Sequence, residues 1–228
     1  MSKRHLKTIN APRSWPIERK NKFWITRPNP GPHSLKESLP LGVIFTDILK
    51  HTKSVREVKR VLNQGIVLIN GNVRKDHKFP MGIFDVLELP GDECYRLFYN
   101  GKGKFVLEEI DKKEKDVILF KVVDRRILKK KKLQLNFSNG DNILSDEKDI
   151  KTGDSVILGE RKIKEILKFD KGATIYLTGG KHVSMIGKVD SIEGNKILFN
   201  SGKKKYDTLK KYAFVVGKDK PRITIKDE

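Results

Sequence analysis

Ser54-Val55-Arg56-Glu57-Val58-Lys59-Arg60-Val61-Leu62-Asn63-Gln64-Gly65-Ile66-Val67-Leu68-Ile69-Asn70-Gly71 reads as a capped helix, a stop, a strand and a tight turn in direct succession. Ser54 and Glu57 have the spacing of a capping box, in which each side chain satisfies an orphan amide at the helix start. Val55, Val58, Val61 and Leu62 recur at helical spacing and predict one apolar stripe, with Gly65 at the stop. Ile66-Val67-Leu68-Ile69 predicts a strand, and Asn70-Gly71 supplies the positive φ angles of a hairpin turn. Val73 starts the return, and Asp85-Val86-Leu87-Glu88-Leu89 alternates as a later strand. Upstream, Phe45, Ile48 and Leu49 predict a further short helix. Residues 41–92 thus form a small αβ module. At ~100° per residue, Arg56, Lys59 and Arg60 lie opposite the valine stripe. Lys53 precedes the cap, and Arg74 and Lys75 follow the turn. An ordinary solvated helix face mixes both signs of charge. Here only Glu57 intervenes, and the cap commits it, so this face is expected to contact phosphates.

Outward from this module the pattern changes. Residues 1–40 contain prolines at 12, 16, 28, 30, 32 and 40 and no apolar periodicity, which predicts an extended basic arm. Trp15, Ile17, Phe23, Trp24 and Ile25 make it too apolar for a free linker, so it is expected to be mobile alone and ordered around a partner. Trp15 and Trp24 either stack on bases or pack against a protein neighbour. Residues 93–172 predict a β-rich central domain, with strands at Phe105-Val106-Leu107, Val117-Ile118-Leu119-Phe120, Leu133-Gln134-Leu135-Asn136-Phe137 and Ser155-Val156-Ile157-Leu158. Lys129-Lys130-Lys131-Lys132 is a cationic patch or simply a solvated loop. Residues 173–228 predict short strands at 174–177, 186–192, 196–200 and 212–216, divided by Gly179-Gly180, Gly194-Asn195 and Ser201-Gly202, a spacing that suggests a small barrel.

The formal net charge of the 228 residues is +20. Residues 1–40 carry nine Lys and Arg against two Asp and Glu; residues 41–92 eight against six; residues 93–172 twenty against fifteen; residues 173–228 twelve against six. Every segment is positive, which points to a polyanion engaged along the whole chain rather than by one tail. A membrane partner is not expected: no apolar run reaches the ~18 residues of a spanning helix, and the N-terminus lacks a signal peptide's apolar core. The single cysteine, Cys94, reads as a small buried hydrophobe. The histidines at 5, 33, 51, 77 and 182 are scattered, so no catalytic or metal-binding constellation stands out, and no cofactor or small-molecule substrate is expected. Gly101-Lys102-Gly103-Lys104 lacks the full phosphate-loop pattern. The two rival functions are an RNA-modifying enzyme and a transcription-elongation factor.

The 41–89 segment resembles the S4-type RNA-binding domain. Thr178-Gly179-Gly180-Lys181-His182-Val183-Ser184-Met185-Ile186-Gly187-Lys188-Val189 resembles a KOW motif, found in SH3-like barrels. The arm, with Ala11-Pro12-Arg13-Ser14-Trp15-Pro16 and Arg27-Pro28-Asn29-Pro30-Gly31-Pro32-His33, resembles that of the S4e ribosomal family. In this order the three cover essentially the whole chain, and an end shortly after the barrel resembles archaeal members. The resemblance implies a multi-domain α+β protein: an arm (1–40), an S4-like domain (41–92), a central domain (93–172) and a KOW-type barrel (173–228). It further implies a cytoplasmic, non-enzymatic component of the small ribosomal subunit, with ribosomal RNA and neighbouring ribosomal proteins as partners. The candidate RNA contacts are Lys3, Arg4, Lys7, Arg13, Trp15, Lys53, Arg56, Lys59, Arg60, Arg74, Lys75, Lys181, His182 and Lys188. Gly179, Gly180 and Gly187 are expected to allow tight turning or close backbone approach.

Overall fold

A computed structural model describes residues 5–91, 93–128, 132–145, 149–159, 162–202 and 204–225. Lys3, Arg4 and the Lys129-Lys130-Lys131 portion of the cationic run lie outside them. The chain is mostly β-sheet with few helices, a smaller helical share than the α+β expectation. It divides into two compact units, Met1–Phe98 with Lys104–Lys115, and Tyr99–Gly103 with Asp116–Glu228. Among the described residues no helix is long and apolar enough to cross a membrane.

In the first unit, β1 (Leu6–Lys7) pairs antiparallel with β2 (Trp24–Ile25). β3 (Ser38–Pro40) runs into α1 (Leu41–Val43), which continues as a π turn over Ile44–Ile48. α2 (Val55–Asn63) follows. Its cap forms with the return bond shifted one residue upstream of the usual box: Ser54 Oγ accepts from the Glu57 amide at 3.4 Å, while Glu57 Oε2 accepts from the Lys53 amide at 2.8 Å. Val58 and Leu62 are fully buried, but Val55 is 38% exposed. The apolar stripe is therefore narrower than expected, because the first helical turn projects beyond the surface that covers the rest. Gly65 ends the helix at φ +73°, and Asn70 and Gly71, at φ +50° and +72°, turn β4 (Leu68–Ile69) into β5 (Asn72–Val73).

β6 (Pro80–Gly82) pairs with β3. β7 (Val86–Glu88), β8 (Cys94–Tyr99) and β9 (Phe105–Glu109) complete a sheet of order β5-β4-β7-β8-β9. The sheet thus draws two strands from the segment expected to form a separate central domain. β7 does not alternate as expected: Asp85, Val86, Leu87 and Leu89 are all buried, so the strand is covered on both faces. Cys94 packs with Val86 and Ile110.

Residues 5–40, extended as the prolines predict and too apolar for a free linker, pack on their own unit. Leu6, Ala11, Trp15 and Leu39 are buried. Extended proline-rich backbone leaves carbonyls without regular partners, and these must be satisfied elsewhere. One guanidinium does much of this, since Arg19 donates to the carbonyls of Ile9, Ala11 and Pro12 at 3.3, 2.9 and 2.8 Å. The Phe105 amide donates to Ser14 O, and the Asn29 amide to Lys78 O.

The second unit holds two five-stranded antiparallel sheets. The first consists of β10 (Ile118–Ile127), β11 (Leu133–Phe137), β12 (Asn142–Ser145), β13 (Ser155–Gly159) and β14 (Lys162–Leu167), in the order β12-β11-β10-β13-β14. Its core gathers Phe120, Val122, Leu133, Leu135, Phe137, Ile150, Val156 and Leu158. The second consists of β15 (Thr174–Leu177), β16 (Ile186–Glu193), β17 (Lys196–Ser201), β18 (Lys204–Leu209) and β19 (Ala213–Gly217), in the order β18-β17-β16-β15-β19. Gly187 on β16 permits close packing: a Cβ there would lie 2.5 Å from the Phe199 ring and 2.7 Å from Asn200 O. Tyr176 Oη donates to Tyr99 O and accepts from the Tyr99 amide, both at 3.0 Å.

Lys121 of β10 joins the two sheets. Its ammonium donates to the carbonyls of Lys211 and Ala213 at 2.9 and 2.6 Å. Burial, helped by the charge of Lys210, lowers its pKa from 10.5 to about 8. The unfolded chain therefore holds this proton more tightly than the folded one. Its ionisation disfavours folding most below pH 8, and stability rises as the pH climbs from about 8 to 10.5. Relative to Lys121→Met, wild type should gain roughly 2–3 kcal/mol across that window, read from urea unfolding at a series of pH values. A constant difference between the two proteins would refute the assignment.

Candidate nucleic-acid interface

The cap, the stop and the hairpin of residues 53–75 place cations on the outside of the first unit. Lys53, Arg56, Lys59 and Arg60 are all exposed, while Val58 and Leu62 hold the opposite face of α2 in the core. The Lys53 amide and the Ser54 hydroxyl hold the Glu57 carboxyl below its usual pKa, so it stays ionised and occupied by the cap. The segment after the hairpin approaches the same helix. Burial first, and then the positive charge of Lys59, lowers the pKa of His77, so its imidazole adds no charge near neutrality. The Lys75 stem lies beside Gly65 at the helix end, 3.5 Å from where a Cβ would stand.

Arg74 is placed differently from its neighbours. Its guanidinium lies 4.4 Å from the centre of the Phe79 ring, and the residue is half-buried. It packs as much as it presents charge. Lys78, absent from the sequence candidates, belongs to this segment, and its amide donates to Asp76 Oδ1.

Of the arm candidates, Lys7 and Arg13 are exposed. Trp15 is a correction: at 1% exposure its ring cannot reach a base, because it anchors the proline-rich segment in the core. Trp24 is 54% exposed. In the second unit, Lys181 and His182 line an open groove of about 570 Å³ together with Lys196, Lys205, Tyr206 and Asp207. The His182 ring lies 4.7 Å from Tyr206, whose ring stacks on Phe199 at 5.6 Å. Lys188 does not join that groove; it is exposed on β16, 3.5 Å from Asp219, a surface pair of little energetic weight. Among the described residues no group of three or more His, Cys, Asp or Glu could hold a metal ion.

The sequence matches two family models, the RS4NT domain over residues 2–36 and ribosomal family S4e over residues 91–163. It is 41% identical to the small ribosomal subunit protein eS4 of Methanosphaera stadtmanae, an alignment covering 98% of this chain and 96% of that one. The chain belongs to ribosomal family S4e. The small ribosomal subunit protein eS4 of Methanocaldococcus jannaschii is 40% identical, with 98% of both chains aligned. The crystal structure of the 30S ribosomal protein S4e from Thermoplasma acidophilum superposes with a TM-score of 0.70 at 34% identity, covering 79% of this chain and 95% of that one. The mostly β, multi-sheet architecture is thus shared with a solved S4e structure.

Proposed function

We propose that this S4e protein is a structural, non-enzymatic component of the small ribosomal subunit that binds ribosomal RNA, and that it works in the cytoplasm within the ribosome. Its relatives bear the name of that subunit over nearly their full lengths. The observation that carries the RNA contact is the outer face of α2, where Arg56, Lys59 and Arg60 stand exposed and Glu57, the one carboxylate of the helix, is tied into its cap. In this reading residues 41–89 act as an S4-type module and the last sheet as a KOW-type module. Lys3, Arg4, Lys7, Arg13, Lys53, Arg56, Lys59, Arg60, Arg74, Lys75, Lys181, His182 and Lys188 supply the contacts. Neighbouring ribosomal proteins complete the surroundings.

The mechanism is electrostatic. Closely spaced phosphates condense counterions, and Lys and Arg release them on binding. A-form RNA hides its base edges in a deep, narrow groove, so a cationic helix beside a hairpin reads shape and backbone. Removing one cation from a phosphate should flatten the slope of log K against log[salt] by ~0.7–0.9. The double variant Arg56→Ala/Lys59→Ala is therefore expected to flatten it by ~1.4–1.8 in filter binding to small-subunit RNA. Unchanged affinity and slope would remove α2 from the interface.

A further inference from the structure

The β1–β2 ribbon has two unlike faces. Its register sets Leu6 opposite Ile25 and Lys7 opposite Trp24. Leu6 is 8% exposed and fixes the inner side, whereas Trp24 and the preceding Phe23 are 54% and 63% exposed on the outer one. Phe23 meets Trp24 edge-on, with ring centres 4.8 Å apart and planes at 87°. An edge contact orients the indole without covering both of its broad faces. The His5 ring lies 5.5 Å from Trp24, and the Lys7 ammonium 5.0 Å over the Phe23 ring. No described acidic side chain is ion-paired with Lys7.

We infer that Trp24, steadied by Phe23 and flanked by Lys7 and His5, is a stacking platform for an unpaired nucleotide of RNA. The inference rests on the RNA-binding reading above and adds to it a subsite for single-stranded nucleic acid. The charge beside the rings selects this occupant. A dry protein interface over Trp24 would desolvate the Lys7 ammonium without an anion to meet it, which is costly. A nucleotide brings both parts, a base for the indole face and a phosphate for the ammonium. A base inside a duplex has its faces taken by its neighbours, so the occupant must be unpaired.

The chain contains two tryptophans, and Trp15 is buried, so quenching by a ligand reports on Trp24. The full-length protein is titrated with a short single-stranded oligoadenylate and with the same strand paired as a duplex, following tryptophan emission and, separately, filter binding over a range of salt. The single strand is expected to quench wild-type emission. Trp24→Ala should weaken single-strand binding about 5- to 150-fold, equivalent to ~1–3 kcal/mol for one stacked base, with an unchanged salt slope. Trp24→Phe should recover most of that loss, and Lys7→Gln should flatten the slope by ~0.7. Circular dichroism matching wild type establishes that the variants fold. If wild type binds RNA but Trp24→Ala binds single strands equally well, the platform serves another partner and the inference is overturned, while the α2 interface stands. If the α2 variants and wild type alike bind no RNA, both readings fall together.

Discussion

Asp85→Ala is expected to lower the stability of the first unit by about 3–5 kcal/mol. The Asp85 carboxylate is buried and is the hub of a network joining three parts of the chain. Oδ2 accepts from the Gly82 amide at 2.8 Å and lies 2.9 Å from His33 Nε2; Oδ1 accepts from Asn70 Nδ2 at 2.7 Å. Asn70 Oδ1 in turn accepts from the Val86 amide at 2.9 Å, so the hairpin turn is clamped to β7. The same carboxylate closes the turn in which Phe84 sits at φ +67°, a conformation costly for a bulky residue. Alanine leaves the donors buried without an acceptor and removes what holds Phe84 in place. His33→Ala, which spares the contacts to Gly82 and Asn70, should cost less, roughly 1–3 kcal/mol. Urea unfolding followed by the emission of Trp15 reads both. A loss below about 1 kcal/mol for Asp85→Ala would show that the network does not hold the unit together.

Arg96→Ala should be comparably severe, again about 3–5 kcal/mol. Arg96 lies on β8 at 1% exposure, an unusual place for a guanidinium. It donates to Glu114 O at 3.0 Å, and its Nη1 stands 3.6 Å from Glu114 Oε2. Burial lowers its pKa from 12.5 to about 10, and the Glu114 charge opposes that fall. At neutral pH the charge is retained, so the pair resists folding less than a lone buried cation would. Alanine removes both the stem that fills the space and the donor to the Glu114 carbonyl. Arg96→Met removes the same charge and the same donor but restores most of the volume, and the Glu114 side chain, 22% exposed, keeps access to water. It should therefore cost clearly less than alanine in the same unfolding experiment. Equal losses for the two variants would mean that the charge, not the packing, matters at this position.

The two tryptophans show how far the arm could be read in advance. Both were visible as too apolar for a free linker, but nothing near them in the chain distinguishes the buried from the exposed one. Trp15 is buried in a segment held by a contact far along the chain, the Phe105 amide donating to Ser14 O beside it. Trp24 is uncovered because its strand pairing turns it away from Leu6. The cationic helix face was legible from the local pattern, but Arg74 was not: its packing on Phe79 depends on the return of the chain after the hairpin.

By itself the sequence determined what depends on neighbours a few residues apart. The Ser54–Glu57 cap, the Gly65 stop, the Asn70-Gly71 turn and the segregation of Arg56, Lys59 and Arg60 are all short-range consequences of hydrogen bonding, allowed φ angles and helical period. Tertiary structure alone decided which strands lie in the middle of a sheet. β8 escaped notice because Cys94, Arg96, Leu97, Phe98 and Tyr99 are buried together, on both faces, and show no period of two. β14 escaped because Ile163, Ile166 and Leu167 have helical spacing; a bulge opposite Ile157 and Leu158 lets Ile163 and Ile166 reach the same core from a strand. Periodicity records one covered face and a regular register, and it falls silent where distant parts of the chain cover the second face or shift the register by one residue.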